Sequence, residues 1–219
     1  MQRREFSFGT LGVLGAAASV VGLPSMSQAQ AKKFEEGADY LALDKPVAVE
    51  TPPGKVEVIE FFWYSCPHCN AFEPVLEPWI KRLPQDVSFK RVPVAFRDSF
   101  IPQQRLYYAL DAMGKAEALQ MKVFTAIHVE KQALETQDAI VAWVEKQGID
   151  KAKFLEQYNS FSTATKARKA TQLQNAFKID GVPSIGVAGR FYTDGTLAKS
   201  MERALQVTEF LMAEARRLK

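Results

Sequence analysis

Apolar and polar positions along the chain predict strands near both ends of the fold, with a helical block between them. Residues 55–64 are β-branched, aromatic and almost continuously apolar, which predicts a strand buried on both faces. Residues 66–83 predict a helix that Pro74 should kink. Residues 87–96 predict a second strand, in which Pro93 indicates a strand end or an edge position.

The second half of the chain changes from helical to strand periodicity. Residues 102–176 repeat apolar positions at helical spacing and predict five helices. Strand signals return over residues 179–192, where Ala188-Gly189 predicts a tight turn between antiparallel strands. An amphipathic helix over residues 196–218 follows, whereas residues 32–54 are polar and predict a loop. This order predicts an α/β fold, with one sheet interrupted by an inserted all-helical domain.

The first thirty or so residues have the pattern of a targeting signal. Arg3-Arg4 precede an apolar run over residues 6–23, and small residues follow at a spacing that suits a signal peptidase. We predict a secretory signal peptide over residues 1–31, cleaved at about 29–31. A membrane anchor is the alternative, because an apolar run of about 18 residues is borderline for a span. Arg3-Arg4 also resemble the start of a twin-arginine signal, so both the Sec and the twin-arginine routes stay open.

Composition narrows the class of protein. The 219 residues are 47% hydrophobic and 24% charged, which is typical of a soluble globular protein and excludes disordered and collagen-like chains. The formal net charge of +3 is too small to indicate binding to nucleic acid. The chain has two cysteines, Cys66 and Cys69, and they are three positions apart.

The sequence Cys66-Pro67-His68-Cys69 follows a predicted strand and opens a predicted helix, which is the setting of a redox motif. A helix N-terminus, the amides of His68 and Cys69, and a partly cationic imidazole at His68 should all lower the pKa of Cys66. Pro67 suits the first helical turn because no backbone donor is needed there. Cys66 is therefore the predicted nucleophile, His68 stabilises its thiolate, and Cys69 is the resolving thiol.

Stabilising a thiolate stabilises the reduced form and makes the disulfide an oxidant. We therefore predict a dithiol oxidase that donates its Cys66–Cys69 disulfide to newly exported proteins through a mixed disulfide. A reductase or isomerase and a glutathione-dependent enzyme are alternatives on the same fold, and a binding module with a structural disulfide is an alternative of another class. Zinc would need further ligands, and the only other histidine is His128. The redox-active disulfide is the only reactive group expected, with no metal and no separate cofactor.

Glu60 is a second candidate, because it lies in the predicted buried strand six residues before Cys66. A buried carboxyl group tends to hold a proton near neutral pH. We expect Glu60 to transfer a proton while Cys69 changes state. The alternative, compatible with the first, is an ion pair between Glu60 and either Lys90 or Arg91.

Apolar residues near the motif are candidates for binding unfolded segments. They are Trp63, Tyr64, Phe72 and Val182, and packing in the core is the alternative for each. A cis bond between Val182 and Pro183 would expose the Val182 backbone to an extended peptide, but most such bonds are trans.

Three features together resemble the DsbA family of exported thiol:disulfide oxidoreductases: the run from Glu60 to Cys69, the helical insert, and Gly181-Val182-Pro183 before a hairpin. The resemblance extends from about residue 34 to the last helix. It implies a thioredoxin-like fold over residues 32–97 and 171–219, with the helical domain inserted at 98–170.

The same resemblance implies the chemistry and the partners. Cys66 would attack, Cys69 would resolve, and His68 would tune the reactivity, with a cis Pro183 packed against the disulfide. The implied substrates are reduced, unfolded exported proteins, and the implied reoxidant is a DsbB-like membrane quinone reductase. A periplasmic monomer is expected, since no dimerisation segment is evident.

Overall fold

The computed structural model describes residues 34–218, so the predicted signal peptide over residues 1–31 lies outside the described residues. The elements, in chain order, are β1 (Leu41–Ala42), β2 (Val56–Phe62), α1 (Pro67–Ile80), β3 (Val87–Pro93), a short 3-10 helix (Asp98–Phe100), α2 (Ile101–Ala112), α3 (Ala116–His128), α4 (Gln137–Lys146), α5 (Lys151–Tyr158), α6 (Phe161–Ala176), β4 (Ser184–Val187), β5 (Phe191–Asp194) and α7 (Met201–Arg217).

The strands form one mixed sheet in the order β1-β5-β4-β2-β3, in which only the β2–β3 pair is parallel. All seven residues of β2 are buried, which confirms the predicted two-sided strand. The prediction for Pro93 is also confirmed, because this residue ends β3 and β3 lies at an edge of the sheet. The central position of β2 brings its carboxyl end, and therefore the motif that follows it, to the middle of the fold.

Apolar side chains cover both faces of the sheet. Val58 of β2 packs with α1 and α7 on one face, whereas Ile59 and Phe61 pack with Phe177 on the other. Successive strand residues point to opposite faces, so this alternation explains why β2 is apolar at nearly every position. The five helices α2–α6 lie between β3 and β4, as the periodicity predicts. The bounds of an inserted domain stay a prediction, because α6 contacts both α2 and β3.

Helix α1 begins where the motif predicts but ends earlier than expected. It runs through Pro74 and Pro78 and stops at Ile80 instead of near Leu83. The chain tightens after Ile80, because the amides of Arg82 and Leu83 bond three residues back, to the carbonyl oxygens of Trp79 and Ile80. Among the described residues, none of the helices combines the length and the apolar character needed to cross a bilayer.

The β4–β5 hairpin confirms the predicted turn. Ala188 and Gly189 have φ of 52° and 63°, the left-handed geometry of the two central residues in a tight turn, which the Arg190 amide closes by donating to the Val187 carbonyl at 3.0 Å. A Cβ atom at Gly189 would lie 2.1 Å from the carbonyl oxygen of Val47, so the approach of that segment also requires glycine.

The prediction of a loop over residues 32–54 was wrong at Leu41 and Ala42, because these residues form β1 and pair with β5. Two residues are too few to produce an alternating pattern. The last helix begins at Met201 instead of 196, because Ser200 caps it through a hydrogen bond from the Arg203 amide.

Candidate active site

The Cys66–Cys69 motif forms the first turn of α1, a few residues after the end of β2. Cys66 is the N-cap of α1, with extended backbone (φ −79°, ψ 117°), and Pro67 occupies the first turn. The Cys66 sulfur accepts a hydrogen bond from the backbone amide of Cys69 at 3.4 Å. The sulfur thus takes the place of the oxygen that caps most helices, at the end where backbone amides favour negative charge.

The two sulfurs differ in environment, although both residues are buried. Both are free thiols, so the structure describes the dithiol form. The side-chain hydrogen bond from Cys69 lowers the pKa of Cys66 from its usual value near 9 to about 6. The backbone amides of Cys69 and His68 and the charge on His68 add to this effect, and burial opposes it. Cys66 is therefore a thiolate at neutral pH.

Cys69 has the opposite tendency. Its exposed fraction is 0%, compared with 7% for Cys66. Burial raises the pKa of the Cys69 thiol well above its usual range, and the hydrogen bond to Cys66 and the charge on Cys66 raise it further. Of the two sulfurs, Cys66 is thus the accessible and ionised one, whereas Cys69 keeps its proton.

The loop before β4 lies against this sulfur. The Val182–Pro183 bond is cis, and the carbonyl oxygen of Val182 is 3.4 Å from the Cys66 sulfur. Ser184 donates a hydrogen bond to the Gly181 carbonyl at 2.8 Å, which fixes the loop. A cavity of about 420 Å³ adjoins this loop and His68, and it is bounded on the far side by the β5–α7 connection.

The apolar candidates divide into two groups. Tyr64 and Phe72 are buried in the core, so they pack inside the protein instead of forming a surface for substrate. Trp63 and Val182 are half-buried. The Trp63 ring stacks on Phe100, with centroids 3.7 Å apart and planes within 6°. Val182 is the member of the set that adjoins both the reactive sulfur and the cavity.

Behind the motif, one guanidinium holds three carboxyl groups, of which Glu60 and Glu73 are fully buried and Glu77 is partly exposed. Arg91 donates from Nε to Glu60 at 3.0 Å, and from Nη2 to Glu73 at 3.0 Å and to Glu77 at 2.6 Å. Glu60 and Arg91 are register partners in the parallel pair of β2 and β3. This geometry answers the question that the sequence left open, because Lys90 pairs instead with Glu57, 2.9 Å away.

The Glu60 side chain is fully buried, and only one of its two carboxyl oxygens accepts a hydrogen bond. Its Oε2 accepts from Arg91, but Oε1 has no hydrogen-bond partner within residues 34–218. Burial and the charge on Glu73 raise the pKa of Glu60 to about 8, against the lowering effect of Arg91. Glu60 also contributes to the raised pKa of Cys69, so the two groups interact electrostatically.

The sequence interpretation missed four residues of this network: Glu73, Glu77, Gln120 and Tyr64. Gln120 of α3 donates to Glu73 at 2.8 Å and accepts from the Tyr64 hydroxyl at 2.9 Å. A signal for two of them was present, because Cys69, Glu73 and Glu77 are four residues apart and share one face of a helix. Gln120 had no such signal, since it comes from a distant helix.

His128 lies closer to the motif than its position in the chain suggests. Its Nε2 donates to the carbonyl oxygen of Tyr64 at 2.8 Å, two residues before Cys66. It does not complete a metal site: in the part of the chain that the structure describes, no group of three or more His, Cys, Asp or Glu side chains could hold a metal ion.

Comparisons with known proteins agree with this geometry. A family model described as a DSBA-like thioredoxin domain matches residues 57–206. The thiol:disulfide interchange protein DsbA of Burkholderia cepacia is 42% identical over 189 residues, which cover 86% of this chain and 89% of that protein. The protein of the same name from Pseudomonas aeruginosa is 37% identical over 204 residues, covering 93% of this chain and 96% of that one.

Solved structures are similar over the same region. The crystal structure of Pseudomonas aeruginosa DsbA has a TM-score of 0.81 at 37% identity, and the match covers 84% of this chain and 96% of that one. The oxidoreductase NmDsbA1 of Neisseria meningitidis has a TM-score of 0.74 at 29% identity, with 84% and 94% covered. The expected thioredoxin-like α/β fold is thereby confirmed.

Proposed function

The chain belongs to the family of DSBA-like thioredoxin domains, and from that premise we propose that it is a dithiol oxidase that donates its Cys66–Cys69 disulfide to newly exported proteins. Its relatives are named thiol:disulfide interchange proteins, and the chain is a thiol:disulfide oxidoreductase. The direction of electron flow is the part that we propose from the site itself.

The opposite pKa shifts of the two sulfurs support the oxidising direction. At pH 7, a Cys66 pKa of about 6 instead of 9 stabilises the dithiol form about tenfold. For a two-electron couple this factor raises the reduction potential by about 30 mV. Because the reduced protein is the stabilised species, the Cys66–Cys69 disulfide tends to accept electrons and so oxidises the substrate.

The first step is attack on the sulfur that can be reached. A substrate thiolate attacks Cys66, a mixed disulfide forms, and the Cys66–Cys69 bond breaks with its electron pair moving to Cys69. Because burial opposes a thiolate at Cys69, this leaving group needs a proton. We assign that proton to Glu60, which is buried, holds a proton near neutral pH and interacts with Cys69.

The second step releases the product. A second substrate thiolate attacks the substrate sulfur of the mixed disulfide, and Cys66 leaves as the thiolate that the first turn of α1 stabilises. Two electrons have then passed from the substrate to the Cys66–Cys69 pair. A DsbB-like membrane quinone reductase would remove them and restore the disulfide.

The cis loop supports a role in holding the substrate. The Val182 backbone lies beside the Cys66 sulfur and next to an open cavity, so an extended peptide can pair with it while its cysteine faces the sulfur. Reduced, unfolded exported chains suit such a site, because backbone pairing is independent of sequence. The matching compartment is the periplasm, reached through the predicted signal peptide, where disulfides persist.

The test is turnover of the oxidised protein with a reduced two-cysteine peptide. We expect stoichiometric oxidation of the peptide and no activity with Cys66→Ala. When the same peptide is supplied in its oxidised form, Cys69→Ala should trap a mixed disulfide, because the Cys66 thiolate opens the peptide disulfide and no second thiol of the protein releases it. Reaction with glutathione alone would favour a glutathione-dependent enzyme. Reduction or shuffling of disulfides without net oxidation would favour a reductase or an isomerase, and no exchange at all would leave a structural disulfide.

A further inference from the structure

The network behind Cys69 contains more buried carboxyl groups than one cation can balance. Glu60 and Glu73 both have an exposed fraction of 0%, and both accept from the single guanidinium of Arg91, which also holds Glu77. Burying an unpaired charge is strongly unfavourable, so one of the fully buried carboxyl groups keeps a proton. The question is what determines which of the two keeps it.

Hydrogen bonds distinguish the two carboxyl groups. Glu73 is satisfied on both oxygens, since Oε2 accepts from Arg91 at 3.0 Å and Oε1 accepts from Gln120 at 2.8 Å. Glu60 is satisfied on Oε2 alone. Hydrogen bonds donated to a carboxylate favour its ionised form. The oxygen that receives no donor, Oε1 of Glu60, is therefore the position for the proton.

Gln120 is held in one orientation by its two partners. Its Oε1 accepts from the hydroxyl of Tyr64 at 2.9 Å, so its Nε2 donates to Glu73. An amide rotated by half a turn would present an oxygen to a carboxylate and lose that bond. Gln120 is itself buried in α3, so no solvent competes for these bonds.

We propose that Gln120 is a positioning residue that selects the proton carrier: its hydrogen bond keeps Glu73 ionised and so assigns the shared proton to Glu60, the carboxyl group that serves Cys69. This inference rests on the proposed function for the role of Glu60. It extends that function, because a residue of the helical block then controls proton transfer at the redox motif. Several other charged or titratable groups surround Glu60 and Glu73 and contribute to the electrostatics of the network. They are Tyr64, Cys69, Glu77, Arg91 and Tyr107.

The test measures the two carboxyl groups separately. In the reduced protein, the ¹³C signals of glutamate side-chain carboxyl groups are followed against pH and assigned with Glu60→Gln and Glu73→Gln. In the unaltered protein, Glu60 is expected to titrate at a higher pH than Glu73. The reverse order would overturn the proposal without any substitution in Gln120, so the test survives even if a variant fails to fold.

Two variants isolate the hydrogen bond. Gln120→Met keeps the length of the side chain but removes both bonds, and Tyr64→Phe removes only the bond from the tyrosine. Gln120→Met should raise the titration midpoint of Glu73 by about one pH unit and lower that of Glu60, because a donor to a charged group is worth about tenfold in the ionisation constant. Tyr64→Phe should leave the order intact. Equal shifts in both variants, or none in Gln120→Met, would contradict the proposal.

A kinetic readout separates this inference from the proposed function. In Gln120→Met, formation of the mixed disulfide from the oxidised protein, the step in which Cys69 leaves, should slow about threefold to tenfold at neutral pH, with a changed pH profile. If Glu60→Gln itself leaves this step unchanged, the proton role of Glu60 fails. The titration order of Glu60 and Glu73 still decides the role of Gln120 in that case.

Discussion

The backbone amide of Cys69 donates a hydrogen bond to the sulfur of Cys66 across 3.4 Å. The Cys66 side chain thereby caps the N-terminus of α1. The same first turn brings the two thiols together and gives them opposite pKa shifts. Reduction of the disulfide therefore places a negative charge on the Cys66 sulfur, at the N-terminus of α1, and a proton on the buried Cys69 sulfur.

The first prediction concerns the pH dependence of the reduction potential. The pKa of Cys66 in the reduced protein is lowered to about 6, so stabilisation of the reduced form is present above that pH and is lost as the pH falls through 6. Below pH 6 two protons accompany two electrons, and above it one proton does. The potential should fall by about 59 mV per pH unit below pH 6 and by about 30 mV above it. Equilibration with glutathione at a series of pH values measures this, and a slope without a break would contradict it.

The second prediction concerns His68, which is exposed at the start of α1. His68→Leu removes its charge but keeps the backbone amide, so the pKa of Cys66 should rise and the disulfide should become less oxidising, by only a part of the about 30 mV that the whole pKa shift contributes. His68→Lys keeps a cation and is the matched control. Thiolate absorbance against pH gives the Cys66 pKa of both variants. Equal values for the two would show that the charge at this position has no effect.

The third prediction concerns Glu60. Glu60→Gln keeps the shape of the side chain but cannot supply the proton that Cys69 needs as it leaves, so formation of the mixed disulfide from the oxidised protein should slow about tenfold or more. Glu57→Gln is the control, because Glu57 is buried in the same strand but faces the opposite side of the sheet and pairs with Lys90. Stopped-flow measurements on the two variants and the unaltered protein give the rate of this step. Similar rates for both variants would remove the proton role.

The fourth prediction concerns Arg91. Arg91→Met leaves two fully buried carboxyl groups without a cation and should lower the free energy of unfolding by about 3–5 kcal/mol near neutral pH. Without the cation, the folded-state pKa values of Glu60 and Glu73 rise further above their unfolded values. Stability is then present below the unfolded pKa and is lost as pH rises, so the defect should shrink in acid.

Urea unfolding at acid and neutral pH measures that effect. Lys90→Met is the control, and its defect should be smaller because it leaves one buried carboxyl group, Glu57, which still accepts from the Glu50 amide. A defect of Arg91→Met that is independent of pH would mean that the buried carboxyl groups are not its cause.

The sequence was sufficient for the parts of the fold that depend on local pattern. The buried strand before Cys66, the helix that Cys66 caps and the turn at Ala188-Gly189 each follow from a few adjacent residues. The strand β1 did not, because two residues carry no period and the pairing with β5 arises from tertiary structure. The early end of α1 did not follow from the sequence either, because Pro84 disfavours helical backbone only at Leu83, whereas the chain already tightens after Ile80.

The candidate site was predictable where one segment carries it, and not where several elements meet. The choice between Lys90 and Arg91 depended on the parallel register, which places Glu60 opposite Arg91. Strand alternation alone places Lys90 and Arg91 on opposite faces without saying which faces Glu60. Gln120 is 47 residues from the carboxylate that it contacts, so only the packing of α3 against α1 could reveal it.

The most direct test of the proposed oxidase is the reduction potential of the Cys66–Cys69 pair, measured against a glutathione redox buffer at pH 7. The stabilised Cys66 thiolate predicts a potential above that of a reducing thioredoxin, about −270 mV, together with net oxidation of a reduced substrate. A potential at or below that value, without net oxidation, would contradict it.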